Sequence, residues 1–367
     1  MMQTITIRAL NRATLARQGL LARQKLPLVE AVGRFGWLQA QLPASPALSL
    51  WTRVDGFSLD AYRAALSARQ LVRAPFLRNT LHLVPASDYL RYWPVIRLAL
   101  EHAFRSFFRP HQRQFDRDHV LTAARSLLAD APRTNGELGA LLTTYIPEAE
   151  ASALAYAART FLPLVQVPDE RARWGFPANP AYTLAETWLG QPVADRCDVE
   201  ELVLRYLAAF GPATVKDIQA WLGARDVGKA LRADLPALCQ FRGPDGDVFY
   251  DNQDAPRPDE DIPAPPRLLP EFDALLLAHA DRSRIIAPEY RRAVFLSAGR
   301  VRATILVDGM VAGTWSMHGT TSHARLAITP FRPLTKATSE ALVAEAEALL
   351  AVLAPGVPTL AVDIVSP

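Results

Sequence analysis

Apolar residues recur every three or four positions along the first part of the chain and then alternate with polar ones. Residues 8–24, 27–35 and 59–68 show the helical spacing, which predicts three helices. Residues 71–84 alternate apolar and polar side chains, which predicts a β-hairpin. Helices followed by a hairpin are typical of a winged-helix domain, a relative of the helix-turn-helix.

The same order recurs twice more, after a predicted helical connector at 89–113 that is rich in arginine and aromatic residues. The second copy is predicted to contain three helices: one at 119–129, one that begins at the capping box Thr134–Glu137, and one at 148–160. Strands are predicted within 164–184. The third copy is predicted to comprise helices at 199–210, 214–222 and 227–235, and strands at 239–242 and 248–251. Three matches in one chain indicate tandem winged helices far more strongly than a single match would.

The last third of the chain has a different pattern. Residues 252–267 are rich in proline and aspartate, which predicts a linker. Strands are predicted at 268–277, 294–296, 302–307, 311–317 and 323–329, and a helix at 335–353. The predicted fold class is therefore α+β: three tandem winged-helix domains at 1–116, 117–195 and 196–258, followed by a C-terminal β-rich domain with a terminal helix at 259–367.

Two glutamines stand in an otherwise apolar segment, residues 36–43. Gly36 can end the preceding helix in the left-handed conformation, and Pro43 pushes the residue before it towards extended geometry. In an extended segment Gln39 and Gln41 point the same way, whereas on a helix they would diverge by about 200°. The pattern indicates either a paired polar site or a structural pair whose amides satisfy main-chain groups at a helix end.

Composition limits the classes of protein to consider. A chain of 367 residues, 50% hydrophobic and 21% charged, predicts a globular protein of two or three domains. No apolar run reaches the roughly 18 residues of a membrane span, and the N-terminus lacks the apolar core of a secretory signal. Cys197 and Cys239 are too few for a disulfide framework or a zinc site, which favours a reducing cytoplasm.

Charge is distributed unevenly along the chain. Residues 1–120 contain 17 Arg and Lys against 7 Asp and Glu, a net charge of +10, whereas the remainder carries a net charge of −7. This asymmetry predicts that the N-terminal part faces a polyanion. The alternative is an arginine-rich composition with its charges on a solvated face.

Several sequence blocks resemble one known family. They are Gln-Ala-Gln at 39–41, Arg-Asn-Thr-Leu-His-Leu at 78–83, the acidic segment at 269–277 with Asp-Arg-Ser-Arg at 281–284, and the segment 307–315. Together they resemble the AlkZ/YcaQ-type DNA glycosylases, bacterial proteins of three tandem winged helices and a C-terminal β domain. The resemblance spans essentially the whole chain and implies removal of alkylated bases, including N7-alkylguanines. Gln41, at a position where some relatives carry Asp, resembles the branch that unhooks interstrand crosslinks; Ala40 is a small residue for the middle of the motif.

The paired glutamines suit one kind of substrate. Glutamine cannot act as a general base near pH 7, but an N7-alkylated guanine is cationic and leaves without protonation. We expect Gln39 and Gln41 to hold the attacking water and to stabilise the positive charge at the sugar C1′ by their amide dipoles. No lysine lies in the motif, so a monofunctional enzyme without a Schiff base is expected. No cofactor is expected, nor a metal, since the spacing of Asp273, His279 and Asp281 fits no standard site.

Candidate DNA-contacting residues share positive charge or a polarisable ring and lie near the predicted wings or the acidic segment: Arg78, His82, Arg171, Arg173, Arg282 and Arg284. Five of the six have a structural alternative. His82 could be a satisfied strand residue, Arg171 and Arg173 could belong to an exposed loop, and Arg282 and Arg284 could pair with Glu271 or Asp273.

The expected partner is double-stranded DNA carrying alkylated or crosslinked purines, bound by a monomer. A winged-helix transcriptional regulator is the main alternative, and a scaffold without a DNA role is weaker. The candidate recognition helices at 153–160 and 228–235 are poor in base-reading side chains. This favours recognition of DNA shape and phosphate over sequence reading.

Overall fold

The computed structural model describes residues 2–107, 115–223, 238–319 and 322–365. Its α-helices are α1 (Ile7–Arg17), α2 (Leu28–Arg34), α3 (Ser45–Arg53), α4 (Leu59–Ser67), α5 (Ala86–Phe107), α6 (Arg117–Asp130), α7 (Asn135–Leu142), α8 (Ala151–Phe161), α9 (Ala185–Leu189), α10 (Val199–Phe210), α11 (Val215–Leu222), α12 (Ala274–Leu277), α13 (Arg291–Val294) and α14 (Lys336–Leu353). Its strands are β1 (Gln3–Thr4), β2 (Leu38–Gln39), β3 (Leu71–Pro75), β4 (Leu81–Pro85), β5 (Leu164–Gln166), β6 (Tyr182–Leu184), β7 (Leu238–Arg242), β8 (Val248–Asn252), β9 (Arg267–Leu269), β10 (Thr304–Val307), β11 (Met310–Gly319), β12 (His323–Pro330) and β13 (Thr359–Ile364). The fold is a mixed α+β fold, as predicted.

The strands of the described residues form three sheets. The first, in the order β2-β4-β3-β5-β6, joins the first two predicted hairpins through one residue pair, Arg73 with Gln166. The second places β1 parallel to β7 beside β8, and the third has the order β13-β12-β11-β10-β9. The two N-terminal hairpins, which the sequence pattern presents as separate units, thus share one sheet.

Helices with strong local signals lie where the sequence predicts them. Thr134 and Thr214 each form a full capping box at the start of α7 and α11, and α10 spans the predicted residues. Four elements, β1, α3, α9 and β13, lie where the sequence analysis predicted neither a helix nor a strand. The helix predicted at 227–235 and the segment 228–235 lie outside the described residues.

Three predicted elements are wrong in type or length. The segment predicted as a strand at 268–277 is strand only through Leu269 and then forms α12, capped by Asp273. The strand predicted at 294–296 is the end of α13 followed by a single bridge from Phe295 to Val301. The helix predicted at 8–24 ends at Arg17, because the chain turns at Gly19 in the left-handed conformation.

An aromatic cluster lies directly beneath the glutamine segment. Trp37 is fully buried, stacks on Trp221 of α11 at 5.3 Å between ring centroids and meets Phe76 edge-on at 4.8 Å. Its indole N–H donates to Asp88 at 2.9 Å, so its polar atom is satisfied. The start of β2 is therefore fixed against α5 and α11 before the chain reaches Gln39.

Candidate active site at the paired glutamines

A sharp left-handed turn brings the glutamine segment to the edge of the first sheet. Helix α2 ends at Arg34 with Phe35 as its C-cap, and Gly36 and Trp37 follow with φ of 77° and 66°. A side chain at Gly36 would place its Cβ 2.4 Å from the Phe210 ring. Glycine is required there both by its backbone conformation and by the close approach of α10.

Gln39 lies on β2 at the edge of the first sheet. Its antiparallel partner on β4 is His82, so the two side chains lie on the same face of the sheet. Gln39 is only 7% exposed, and its Oε1 accepts a 3.5 Å hydrogen bond from Nη2 of Arg78. The amide is thus held among polar neighbours.

Gln41 lies just beyond the strand and is exposed to solvent. Its Oε1 accepts a 2.9 Å hydrogen bond from the main-chain N–H of Leu81, the residue before His82. Both glutamine amides therefore reach the same short stretch of chain, residues 78–82. The sequence alternative was a structural pair that satisfies main-chain groups at a helix end. Gln41 does satisfy a main-chain group, the Leu81 N–H, but this group lies at the edge of a strand.

Arg78 lies in the turn between β3 and β4 with φ of 52°, in the left-handed region. Its Nη1 donates to the carbonyl of Trp221 at 2.8 Å, which fixes the guanidinium beside Gln39. Burial, and secondly the positive charge of Arg282, lower the pKa of Arg78 to about 10. The charges of Arg78 and Arg282, which were predicted from separate parts of the chain, therefore influence each other.

His82 is buried, at 3% exposure, and its Nδ1 lies 3.0 Å from the carbonyl oxygen of Thr80. Because a carbonyl can only accept, Nδ1 carries the proton and Nε2 does not. Burial, and secondly the nearby Arg78 charge, lower the pKa of His82 to about 3. The ring is therefore neutral at physiological pH and lies as a satisfied strand residue behind Gln39.

The neutral state of His82 predicts a pH-dependent stability. An unfolded histidine binds a proton below pH 6.5 and the folded one does not until about pH 3, so the free energy of unfolding falls as pH drops through this window. We expect His82 to account for a loss of about 2 kcal/mol between pH 7 and pH 5. Urea unfolding of wild type and His82→Gln at both pH values measures it. Equal losses in the two proteins would contradict the assignment.

The other predicted arginines lie apart from the glutamines or are occupied. Arg284 is 3% exposed, donates to the Pro212 carbonyl at 2.7 Å and lies 3.9 Å from Asp217. Its carboxylate partner is therefore Asp217 and not Glu271 or Asp273, the residues named in the structural alternative. In the loop after β5, Arg171 is exposed and paired with Asp169 at 3.1 Å.

Arg173, in the same loop, donates to the carbonyl of Val352 at the end of α14. Its guanidinium also lies over the ring of Trp174, at 4.8 Å. The structure therefore places Arg173 against the C-terminal helix. Among the residues that the structure describes, Arg282 has neither a carboxylate nor a carbonyl partner for its side chain, and its guanidinium stacks on the Phe295 ring at 4.3 Å.

Sequence reasoning missed Arg73, which lies behind the glutamines on β3. It is 4% exposed and donates to the main-chain carbonyls of Ala40 and Gln41, at 2.8 and 3.3 Å. The signal available in the sequence was a single arginine inside the apolar run Leu-Val-Arg-Ala-Pro-Phe, a position where an unpaired charge is costly.

A cavity of about 670 Å³ opens directly after the glutamine segment. Leu42, Glu271, Arg300 and Trp315 are among the residues that line it. Burial raises the pKa of the Glu271 carboxyl. The cavity has the size and mixed polarity of small-ligand sites.

The part of the chain that the structure describes contains no group of three or more His, Cys, Asp or Glu side chains placed to hold a metal ion. None of the described helices is both long and apolar enough to cross a membrane.

Comparison with known proteins places the chain in a family. The model of the AlkZ-like DNA glycosylases matches residues 32–352, which include the glutamine segment, the Arg78 turn and most of the C-terminal sheet. The chain belongs to this family. The resemblance seen in the sequence blocks is thereby confirmed.

Two relatives come from Streptomyces sahachiroi. An interstrand DNA cross-link repair glycosylase is 29% identical over 199 residues, 51% of this chain and 50% of that protein, so the match spans about half the length of the relative. The solved structure of the DNA glycosylase AlkZ superposes with a TM-score of 0.80 at 22% identity, covering 99% of this chain and 100% of that one. At this identity the structural likeness supports the AlkZ-like fold.

Proposed function

We propose that this protein is a monofunctional DNA glycosylase that hydrolyses the N-glycosidic bond of N7-alkylated purines in double-stranded DNA and unhooks interstrand crosslinks made through such sites. Family membership supports the reaction class, and the name of the curated relative supports the crosslink. The observation that carries the proposal is that the amides of Gln39 and Gln41 both reach residues 78–82. We further propose that the enzyme acts as a monomer in the bacterial cytoplasm.

In the proposed mechanism the damaged base supplies the leaving group. The C1′–N9 bond breaks, its electron pair stays on the departing base, and the N7 cation becomes a neutral alkylguanine. A water held by the oxygens of Gln39 and Gln41 adds to C1′ and releases its extra proton to solvent. The amide dipoles stabilise the developing positive charge at the sugar without any change in protonation.

DNA binding is proposed to use three winged-helix units at 1–116, 117–195 and 196–258, with the C-terminal domain at 259–367 closing the site. The positive charge of Arg282 lowers the pKa of Arg78, and neither residue has an ion-pair partner among the described residues. By contrast, the neighbouring Arg291 is paired with Asp281 at 3.1 Å. Two uncompensated guanidinium groups, of which Arg78 donates to Gln39, are suited to a DNA phosphate, whose charge would also offset their repulsion of the cationic transition state.

The phosphate contact predicts a change in salt dependence. Replacing Arg282 by Gln should reduce the slope of log affinity against log salt by about 1, with equal effect on different duplex sequences. The control is Arg91→Gln, which removes a surface arginine already paired with Glu201 at 2.7 Å. Fluorescence anisotropy on an undamaged duplex at several salt concentrations measures both slopes. Equal slopes for the two variants would exclude Arg282 as a phosphate contact.

The function itself is tested on a duplex that contains one N7-methylguanine and on a duplex with an N7-linked crosslink. Incubation followed by alkali should cut the methylated strand, and the crosslinked strands should separate on a denaturing gel. Borohydride should trap no covalent complex, since no lysine is proposed to attack the sugar. Sequence-specific footprints without strand cleavage would instead support a winged-helix regulator.

A further inference from the structure

Arg73 is unusual among the deeply buried arginines of this protein. Others have a carboxylate partner: Arg12 with Asp308, Arg17 with Asp251, Arg53 with Asp273 and Arg284 with Asp217. Arg73 donates instead to the carbonyls of Ala40 and Gln41 and, at 2.8 Å, to Oε1 of Gln166. Among the residues that the structure describes, no carboxylate pairs with it.

The partners of Arg73 form a chain that begins in the second hairpin. The Gln166 side chain donates from Nε2 to the Tyr182 hydroxyl at 2.7 Å, and both residues are 3% exposed. Arg73 and Gln166 are also the residue pair through which the two N-terminal hairpins join. One residue of the pair that joins the hairpins, Arg73, is thus also the residue that reaches the glutamine segment, and Gln166 holds it there.

The hydrogen bonds at the end of β2 show what Arg73 changes. Continuing the register of Leu38 with Leu83 and Gln39 with His82 places Ala40 opposite Leu81. The Ala40 N–H donates to the Leu81 carbonyl at 2.7 Å, and a regular ladder would return a bond from the Leu81 N–H to the Ala40 carbonyl.

That return bond is replaced by two others. The Ala40 carbonyl accepts from Nε of Arg73 at 2.8 Å, and the Leu81 N–H donates to the side chain of Gln41 at 2.9 Å. Arg73 therefore takes the acceptor that the ladder would use, which leaves the Leu81 N–H as the donor that holds the Gln41 amide.

A buried guanidinium without a counter-ion is costly, and burial lowers the pKa of Arg73. An apolar residue, with a regular Ala40–Leu81 pair, would avoid that cost. What Arg73 specifically contributes is the position of Gln41, both of its side chain and of its main-chain carbonyl.

We propose that Arg73, held in place by Gln166 and Tyr182, is a positioning residue that sets the Gln41 amide for catalysis. The proposal rests on the function proposed above for Gln41. Arg73 touches no reacting atom; it acts only through the segment 40–41. The second hairpin thereby contributes to the active site without contacting the substrate.

A double-mutant cycle between Gln166→Leu and Gln41→Ala tests this coupling. Gln166→Leu alone should lower single-turnover release of N7-methylguanine about tenfold with duplex affinity unchanged. In the Gln41→Ala background it should lower the rate no further, because the group it positions is already gone. Gln166→Glu retains an acceptor for Arg73 and should restore the rate to within about twofold of wild type.

A matched pair of hydroxyl deletions provides a milder version of the test. Tyr182→Phe removes the bond to Gln166, whereas Tyr89→Phe removes an equally buried hydroxyl that donates to the Leu164 carbonyl at 3.1 Å in the same sheet. Only Tyr182→Phe should slow release. If Gln166→Leu does not fold, this pair decides the question.

Two results would overturn the inference. One is a further tenfold loss when Gln166→Leu is added to Gln41→Ala; the other is equal rates for the two tyrosine variants. A wild-type protein that releases no N7-methylguanine would reject the proposed function itself, which the same assay distinguishes. A Gln41→Ala variant as active as wild type would likewise remove the role on which the inference rests.

Discussion

Gln39→Ala is expected to lower single-turnover release of N7-methylguanine by roughly 100-fold or more, with little change in the affinity for the damaged duplex. Deleting one preorganised dipole at a developing charge costs about that much in enzymes whose transition states are stabilised electrostatically. Gln39 is 7% exposed, so its amide acts where water competes poorly. Rapid-quench kinetics with enzyme in excess measures the rate, and anisotropy measures the affinity.

Gln41→Ala is expected to show a loss of similar size for a partly different reason. Its amide is exposed and accepts a hydrogen bond from the Leu81 N–H. The substitution therefore deletes the water-binding oxygen and also leaves that main-chain donor without its acceptor. Gln70→Ala, which removes an exposed glutamine from the turn before β3, provides the matched control and should retain the wild-type rate. If Gln39→Ala and Gln41→Ala both release the base at the wild-type rate, the glutamines are structural.

The sequence predicts best those features whose physical causes are local. Capping boxes at Thr134 and Thr214 need only residues three positions apart, and both are formed. The left-handed turn at Gly36 and the extended chain through Gln39 follow from neighbouring residues alone. The prediction that the Gln39 and Gln41 side chains point the same way was derived from this extended geometry alone.

Features that depend on distant contacts could not be predicted in this way. Strand β1 is two residues long and exists because β7, more than 230 residues away, pairs with it. The run from 268 to 277 is apolar enough to suit a buried strand or a helix, and periodicity cannot separate the two. Asp273 decides that part of this run forms a helix, because it caps α12 and also pairs with Arg53 from α3.

The candidate site shows the same division. Gln39, Gln41 and Arg78 can be proposed from motif and spacing, but the role of Arg73 depends on a pairing with Gln166 that no local pattern encodes. Arg284 shows the converse: a charged residue in a promising motif is fully used inside the protein. Both arginines are buried, and what separates them is their partners, which the sequence does not report.

Asp273→Ala is expected to lower the free energy of unfolding by about 3–5 kcal/mol, because it leaves a fully buried guanidinium without its counter-ion. Arg53 and Asp273 are both 0% exposed and are joined by two hydrogen bonds, of 2.9 and 2.6 Å. The carboxylate also accepts from Ser49 at 2.9 Å and caps α12 through the Leu275 N–H at 3.0 Å. The midpoint of urea unfolding, at constant slope, measures the loss.

Two further proteins separate the charge effect from the loss of volume. Glu201→Ala breaks the exposed pair with Arg91 and should cost less than about 1 kcal/mol. The double variant Arg53→Met with Asp273→Leu removes both charges and should recover much of the stability lost in Asp273→Ala, since no unpaired charge stays buried. If the double variant is instead the less stable of the two, the contribution of this pair lies in the hydrogen bonds that connect α3 to α12, and the unpaired charge is not the main cost.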